Sequence, residues 1–310
     1  MRALVTGGNG FVGMHLVRTL RSRGVETLVA GRTPDGAGVD IPLDLADAEN
    51  VRGVVELARA DVVIHLAAQA SVPDATRAPL ETYDVNGLGT ARLFEAIRGC
   101  GEPFARVVIA SSAEVYGPRE RSAYPLREDV APRPATPYAA SKVAAEAVAL
   151  ASFRTYGIPA VVARAFNAIG PGQDERFVVA AFAAQLARIA GGAEPKLRVG
   201  NLAAQRDFLD VRDVAEAFAA IVDGGVPGEI YNVCSGRPIA IADVLRQLIE
   251  AAHVAVEVRE DPERMRPSDV PMSYGDPSKL RDATGWEPRV PLTRSLRDAF
   301  ADARARLAAV

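Results

Sequence analysis

The chain has 310 residues, 49% of them hydrophobic and 24% charged, with a net charge of −3. This ordinary globular composition holds enough apolar material for a large core; acids and bases are interspersed without a polybasic run, so neither nucleic acid nor an anionic membrane is an expected partner. Cys100 and Cys234 stand apart without metal-ligand spacing or a disulfide framework, and neither a signal peptide nor a bilayer-length apolar run is found, so a metal-free protein of the reducing cytoplasm is expected.

The elements alternate from the start. "RALVTG" is a buried-strand run followed by glycines, and "FVGMHLVRTLRSRG" has helical spacing up to Gly24. "VETLVAG" is a second strand, "ENVRGVVELARA" a helix, "DVVIHLAA" a third clear strand, "NGLGTARLFEAIRGCG" a helix and "ARVVIASS" another strand. After a helix opening at "TPYAASK", the run "PAVVARAF" continues the sheet. Strands alternating with helices predict an α/β fold with a doubly wound parallel sheet, and near-continuous apolar runs predict strands covered on both faces. From about Asn167 the texture changes. A glycine- and proline-rich loop, "NAIGPGQDERF", precedes helical "VVAAFAAQLARIAGG", strand-like "KLRVG", helical "VRDVAEAFAAIVDGG" and strand-like "EIYNVCSG". Helical "ADVLRQLIEAAH", a proline-rich segment and a final helix from about Leu292 close the chain. The expectation is a dinucleotide-binding domain over residues 1–166, rejoined by a segment at about 202–232, and a smaller α/β substrate-binding lobe drawn mainly from 167–310.

"VTGGNGFVG" places Gly7, Gly10 and Gly13 at three-residue spacing between the first strand and first helix. Such glycines allow a tight turn, approach of a pyrophosphate to backbone, and close helix–strand packing, while the helix N-terminus at Phe11 and Val12 offers N–H groups to the phosphates. A Rossmann cofactor site is therefore expected. At the end of the second strand, where an acidic residue would take the ribose hydroxyls of NAD, stands Arg32, whose guanidinium suits the 2′-phosphate of NADP. NADP(H) is expected, with NAD as the alternative; a solvated surface arginine is the plainer reading. Asp44 and Leu45 in "LDL" could meet the adenine, or Asp44 could belong to the N-cap region of the next helix.

"VVIASSAEVYG" ends a strand at Ser112 and places Glu114 just beyond it. Ligands of doubly wound sheets meet the carboxyl ends of strands, which aims Ser112 at the cleft. Tyr138 and Lys142, four residues apart, share a helix face. A phenol with an ordinary pKa of about 10 needs tuning for proton transfer at neutral pH, and a lysine one turn away plus a cationic nicotinamide would stabilise the phenolate. The plainer readings are strand-end hydrogen bonding for Ser112 and a solvent-facing helix surface for the pair.

Together "TGGNGFVG", "HLAAQASV", "SSAEVYG", "YAASK" and "RAFNAIGPG" resemble the extended short-chain dehydrogenases/reductases that act on nucleotide sugars, over nearly the whole chain. The resemblance implies a Ser112–Tyr138–Lys142 triad, with Leu66, Ala67 and Ala68 also along the cofactor. "RFVVAAFAAQLARI", "GNLAAQRDFLDVRDVAEAF" and "RPSDVPMSYGDPSKL" are similar to the GDP-mannose branch. Carried over by position, Arg206 and Arg266 hold the diphosphate, Asp269 or the backbone near Lys196 and Leu197 meets guanine, and Asn167 and Val178 line the substrate site. For Arg206 an ion pair with Asp207 or Asp210 stays open, and for Arg266 a solvated loop charge. Glu114 occupies the position of the base in the 4,6-dehydratases, but Ala113 supplies no polar neighbour and the glycine loop is not of the dehydratase type. The resemblance thus implies reduction of a 4-keto sugar nucleotide by a homodimer or tetramer. GDP-mannose 4,6-dehydration, another epimerase or dehydratase reaction, and a non-catalytic NADP sensor are the alternatives.

Overall fold

The apolar run that opens the chain forms β1 (Arg2–Thr6), buried from Ala3 onward. In this computed structural model, which describes residues 1–32, 38–101, 103–264 and 270–308, it is followed by α1 (Phe11–Ser22), β2 (Glu26–Gly31), β3 (Ile41–Pro42), α2 (Ala48–Ala58) and β4 (Val62–His65). Two short helices, α3 (Val72–Arg77) and α4 (Pro79–Thr82), lead through one π-helical turn at Tyr83–Leu88 into α5 (Gly89–Gly99). Then come β5 (Arg106–Ser112), α6 (Pro137–Tyr156) and β6 (Ala160–Ala165). The second half contributes β7 (Asn167–Ile169), α7 (Val178–Ala190), β8 (Lys196–Val199), β9 (Gln205–Asp210), α8 (Val211–Gly224) and β10 (Ile230–Val233). It ends with β11 (Pro238–Ala240), α9 (Ile241–Ala252), β12 (Glu257–Glu260), β13 (Met272–Ser273), α10 (Ser278–Thr284) and α11 (Leu292–Ala308).

The main sheet runs β10-β6-β5-β4-β1-β2-β3, and every neighbouring pair is parallel. This is the doubly wound α/β arrangement, and the strand order reverses beside β1. One apolar layer packs α1 and α8 on one face, with Leu16, Leu20, Phe218 and Ile221 buried there. The other face is covered by α2, α5 and α6 through Val51, Leu93, Phe94 and Ala149. A third cluster joins α7, α9 and α11 to a small sheet in which β9 is flanked by β11, β13 and β7. β12 pairs with β8 in a separate two-stranded ribbon. No described helix is long and apolar enough to cross a membrane.

Two strands lie outside the sequence reading. The stretch after Phe166 begins as a strand, because Asn167–Ile169 finds a partner in Phe208–Asp210, forty residues on, which no local pattern reveals. The strand Glu257–Glu260 is exposed along its whole length, so it carries no apolar alternation by which it could be read.

Candidate active site

Gly7, Arg32, Leu66 and Ser112 all lie at carboxyl ends of main-sheet strands, so the topology gathers them along one edge. Gly7 has φ +70, and a Cβ there would lie 2.7 Å from the Ala67 backbone nitrogen, so the loop after β4 closes directly over the glycine turn. A Cβ on Gly13 would lie 2.2 Å from the Gly7 carbonyl oxygen; only glycine lets α1 approach β1 this closely. Gly10 is the N-cap of α1 and no side chain caps the helix, so the first-turn N–H groups around Phe11 and Val12 are open to an anion. This cradle fits a dinucleotide pyrophosphate. Asn9, not singled out from sequence, sits against Gly31, where a Cβ would come within 2.5 Å of its Oδ1. Arg32 is exposed just beyond β2, beside residues outside the description.

Asp44 does not cap α2. Asp47 does, accepting from the N–H groups of Glu49 and Asn50, while Asp44 Oδ1 accepts from Ala46 N at 2.9 Å. The turn is held further by Asn50 Oδ1 on Asp44 N at 2.7 Å and by Arg92 Nη1 on the Leu45 carbonyl at 3.0 Å. Leu45 itself is buried against Gly89. Behind the cleft, sequence reasoning passed over a buried polar chain. His65 Nδ1 meets Thr6 Oγ1 at 2.7 Å and its Nε2 meets Thr90 at 3.2 Å. Asn86, inside the π-helical turn, bonds the backbone of Gln69 from both sides and donates to Ser141 Oγ. A lone histidine in the apolar "DVVIHLAA" was the available signal. Burial pushes its pKa down to about 3, so the ring is neutral.

The catalytic candidates come together as expected, though with different electrostatics. Thr136 caps α6 by accepting from Ala139 N, and Pro137 takes the first helical position, where its missing N–H costs nothing. That start turns Tyr138 and Lys142 inward, with 8% and 6% exposure, which rules out a solvent-facing pair. Lys142 Nζ donates to the Ala110 carbonyl at 2.9 Å and lies 6.0 Å from the centroid of the Tyr138 ring. The Tyr138 pKa is raised in this structure, not lowered. Burial pushes the Tyr138 phenol up to about 12; the Ser112 hydroxyl offsets this in part and the nearby Glu114 charge adds to it. Burial pushes Lys142 down to about 8, against the attraction of Glu146. Both groups are therefore protonated at neutral pH. Ser112 Oγ accepts from Glu114 N at 3.2 Å, which leaves its O–H to donate elsewhere. Glu114 is exposed, in the 3-10 turn Ala113–Tyr116 directly after β5.

The substrate-side candidates lie on the small sheet and around it. Arg206 on β9 donates to the carbonyls of Gln205 and Val270. Asp207 is fully buried and takes the N–H groups of Ser235, Gly236 and Gly275 and the Ser235 hydroxyl; Asp210 pairs with Arg212 and Ser295. Asn167 Nδ2 donates to the Asp207 carbonyl at 3.0 Å, which ties β7 to β9. Val178 opens α7, half-buried. Lys196 is ion-paired with Glu194, and the Leu197 side chain is fully buried, so only its backbone could reach a ligand. Arg266 and Asp269 lie outside the described residues.

Residues 4–299 match the GDP-mannose 4,6-dehydratase family. The chain belongs to that family. It is 39% identical to GDP-6-deoxy-D-mannose reductase of Pseudomonas aeruginosa over 309 residues, covering 99% of this chain and 98% of the relative. A solved structure of RMD from Pseudomonas aeruginosa complexed with NADPH superposes with a TM-score of 0.89 at 38% identity, covering 98% of this chain and 99% of that one. UDP-glucose 4-epimerase of Thermus thermophilus, solved with NAD, superposes with a TM-score of 0.88 at 36% identity, covering 98% and 99%. These two solved structures share this fold, and one is described with NADPH and the other, a UDP-glucose 4-epimerase, with NAD.

Proposed function

We propose that this protein reduces the 4-keto group of a GDP-4-keto-6-deoxy-hexose with NADPH, converting GDP-4-keto-6-deoxy-D-mannose to GDP-D-rhamnose. The observation that carries this reading is the buried, protonated Tyr138 beside Ser112, in a chain 39% identical to a GDP-6-deoxy-D-mannose reductase along nearly its whole length. Bound in the glycine cradle, with Gly7, Gly10, Gly13 and the open end of α1 at its pyrophosphate and Arg32 toward a 2′-phosphate, NADPH supplies the hydride. Ser112 Oγ donates a hydrogen bond to the ketone oxygen and orients it. Tyr138 Oη gives that oxygen its proton; burial keeps the phenol protonated but weakens it as an acid, so the transfer draws on a neighbouring positive charge to stabilise the product phenolate. Lys142, charged at neutral pH, stabilises the phenolate left behind. Arg206, Asn167 and the backbone at Lys196 are suited to the nucleotide diphosphate and base. We read the molecule as a cytoplasmic homodimer or tetramer.

A second reading, GDP-mannose 4,6-dehydration, has Glu114 in its favour: this carboxylate is close enough to raise the Tyr138 pKa and could take a proton from carbon 5. Two incubations separate them. With GDP-4-keto-6-deoxy-mannose, absorbance of NADPH should fall by one equivalent per product, and NMR should show the 4-hydroxyl without solvent deuterium at carbon 5. Conversion of GDP-mannose by the protein alone to a 4-keto-6-deoxy sugar would overturn the reductase reading. Cofactor binding without turnover of any keto sugar nucleotide would favour a sensor.

A further inference from the structure

Glu146 lies one turn beyond Lys142 on α6 and is 3% exposed. Its Oε1 accepts the Ser111 hydroxyl at 2.5 Å and Arg164 Nε at 2.9 Å, and its Oε2 accepts Arg164 Nη2 at 2.8 Å. Arg164 comes from β6, is 2% exposed and lies over the Tyr116 ring at 4.7 Å. Ser111 faces Arg164 across the β5–β6 ladder. One carboxylate therefore holds three elements together at a single point.

Stability alone is a poor reason for that arrangement. A buried ion pair recovers little beyond its desolvation cost, and apolar groups of the same shape often serve as well. An apolar cluster could not, however, give Ser111 an acceptor. Ser111 sits in β5 between Ala110, whose carbonyl holds Lys142 Nζ, and Ser112. Because successive side chains alternate across a strand, a bond that fixes Ser111 on one face also fixes the direction of Ser112 on the other.

We propose that Glu146, acting through Ser111, is a positioning residue for the keto reduction: it fixes the end of β5, with the Ala110 carbonyl and the Ser112 hydroxyl, against the face of α6 that carries Tyr138 and Lys142. The inference rests on the reading above that Tyr138 donates the proton. It also has an electrostatic side. The groups facing Lys142 are Tyr138 and Glu146 on its own helix and the neutral His65 of β4, with Arg164 of β6 behind Glu146. Glu146 is the one negative charge in that set. Replacing it by glutamine removes the attraction that holds the Lys142 proton and leaves the Arg164 charge without its partner.

The test uses the full chain with NADPH and GDP-4-keto-6-deoxy-mannose. Ser111→Ala removes one hydroxyl and leaves the Glu146–Arg164 pair intact, so folding is retained. Its kcat should fall about three- to thirtyfold, with KM for both substrates within about twofold, as misorientation of a reacting group does. Ser111→Thr keeps the hydroxyl and should recover most of the loss. Glu146→Gln should move the alkaline limb of the kcat profile to lower pH by about half a unit or more, while Ser111→Ala leaves that limb in place. A Ser111→Ala enzyme with kcat within twofold of wild type overturns the inference, as does equal impairment of Ser111→Ala and Ser111→Thr, which would mean packing alone. Tyr138→Phe, run alongside, separates the two layers. Turnover retained there sinks the proton-donor reading together with this inference, whereas a dead Tyr138→Phe beside an unimpaired Ser111→Ala sinks the inference only.

Discussion

Tyr138 couples chemistry to stability in one side chain. Tyr138→Phe should cut turnover by about a hundredfold or more, since a general acid is lost while the ring still packs, and NADPH titration should be nearly unchanged. The same change has a pH signature. The folded phenol is pushed up to about 12 while an unfolded one ionises near 10, so above pH 10 the unfolded chain holds fewer protons and stability drains away as pH rises. Wild type should lose about 2 kcal/mol more than Tyr138→Phe between pH 10 and 11.5 in denaturant titrations; parallel curves would show the phenol ionising freely in the fold. Glu114→Gln keeps shape and hydrogen bonding while removing a base, so ketone reduction should stay within about threefold of wild type; a loss of a hundredfold would point to carbon 5 chemistry. At the cofactor's other end, Arg32→Asp should weaken NADPH binding about tenfold or more while sparing NADH, because a carboxylate repels a 2′-phosphate but accepts from a ribose hydroxyl. Equal losses for both cofactors would remove Arg32 from the site.

At the scale of elements, α1 packs tightly on the glycine turn that follows β1. A Cβ on Gly13 would sit 2.2 Å from the Gly7 carbonyl oxygen, a backbone atom that cannot swing aside. Gly13→Ala should therefore push the helix off the strand, lower stability by about 1–3 kcal/mol and abolish NADPH binding. A variant that still binds NADPH normally would show that the glycine turn does not hold the pyrophosphate. β1 is joined to β4 and α5 by the Thr6–His65–Thr90 bonds, which need a neutral ring. With the folded pKa down at about 3 and the unfolded value near 6.5, the stability from this site is fully present above pH 6.5 and is lost as pH falls toward 3. Between pH 6.5 and 5, where carboxylates titrate little, wild type should lose about 2 kcal/mol and His65→Asn much less; equal slopes would contradict the buried neutral ring.

For the whole molecule, the notable division is between the parallel sheet, where the cofactor candidates sit, and the small sheet around β9 that carries Arg206 and Asn167. Asp207 anchors that small sheet by collecting donors from Ser235, Gly236 and Gly275. Asparagine has one acceptor oxygen and would turn its amide donors toward other donors, at a cost of about 1–3 kcal/mol. Asp207→Asn should raise KM for the sugar nucleotide about tenfold or more and leave the Kd of NADPH within about twofold. A matching loss in NADPH affinity would show that the two sheets do not act separately.

Much of this was legible along the chain because the governing interactions are local. The glycine spacing dictates a turn, the continuous apolar runs dictate covered parallel strands, and the four-residue spacing puts Tyr138 and Lys142 on one helix face, though only the structure shows that this face is buried. Tertiary structure decided the rest. That Asn167–Ile169 is a strand depends on β9, forty residues away. That Asp47, and not Asp44, caps α2 depends on where the turn after β3 places each carboxylate. The ionisation of Tyr138 and Lys142 depends on burial and on Ser112, Glu114 and Glu146, contributed by two separate segments. The Ser111–Glu146–Arg164 cluster is spelled out at three distant positions, and only the stacking of α6 on β5 and β6 brings them within hydrogen-bonding distance, because a pKa and a hydrogen bond depend on separation in space, which the order of residues leaves open.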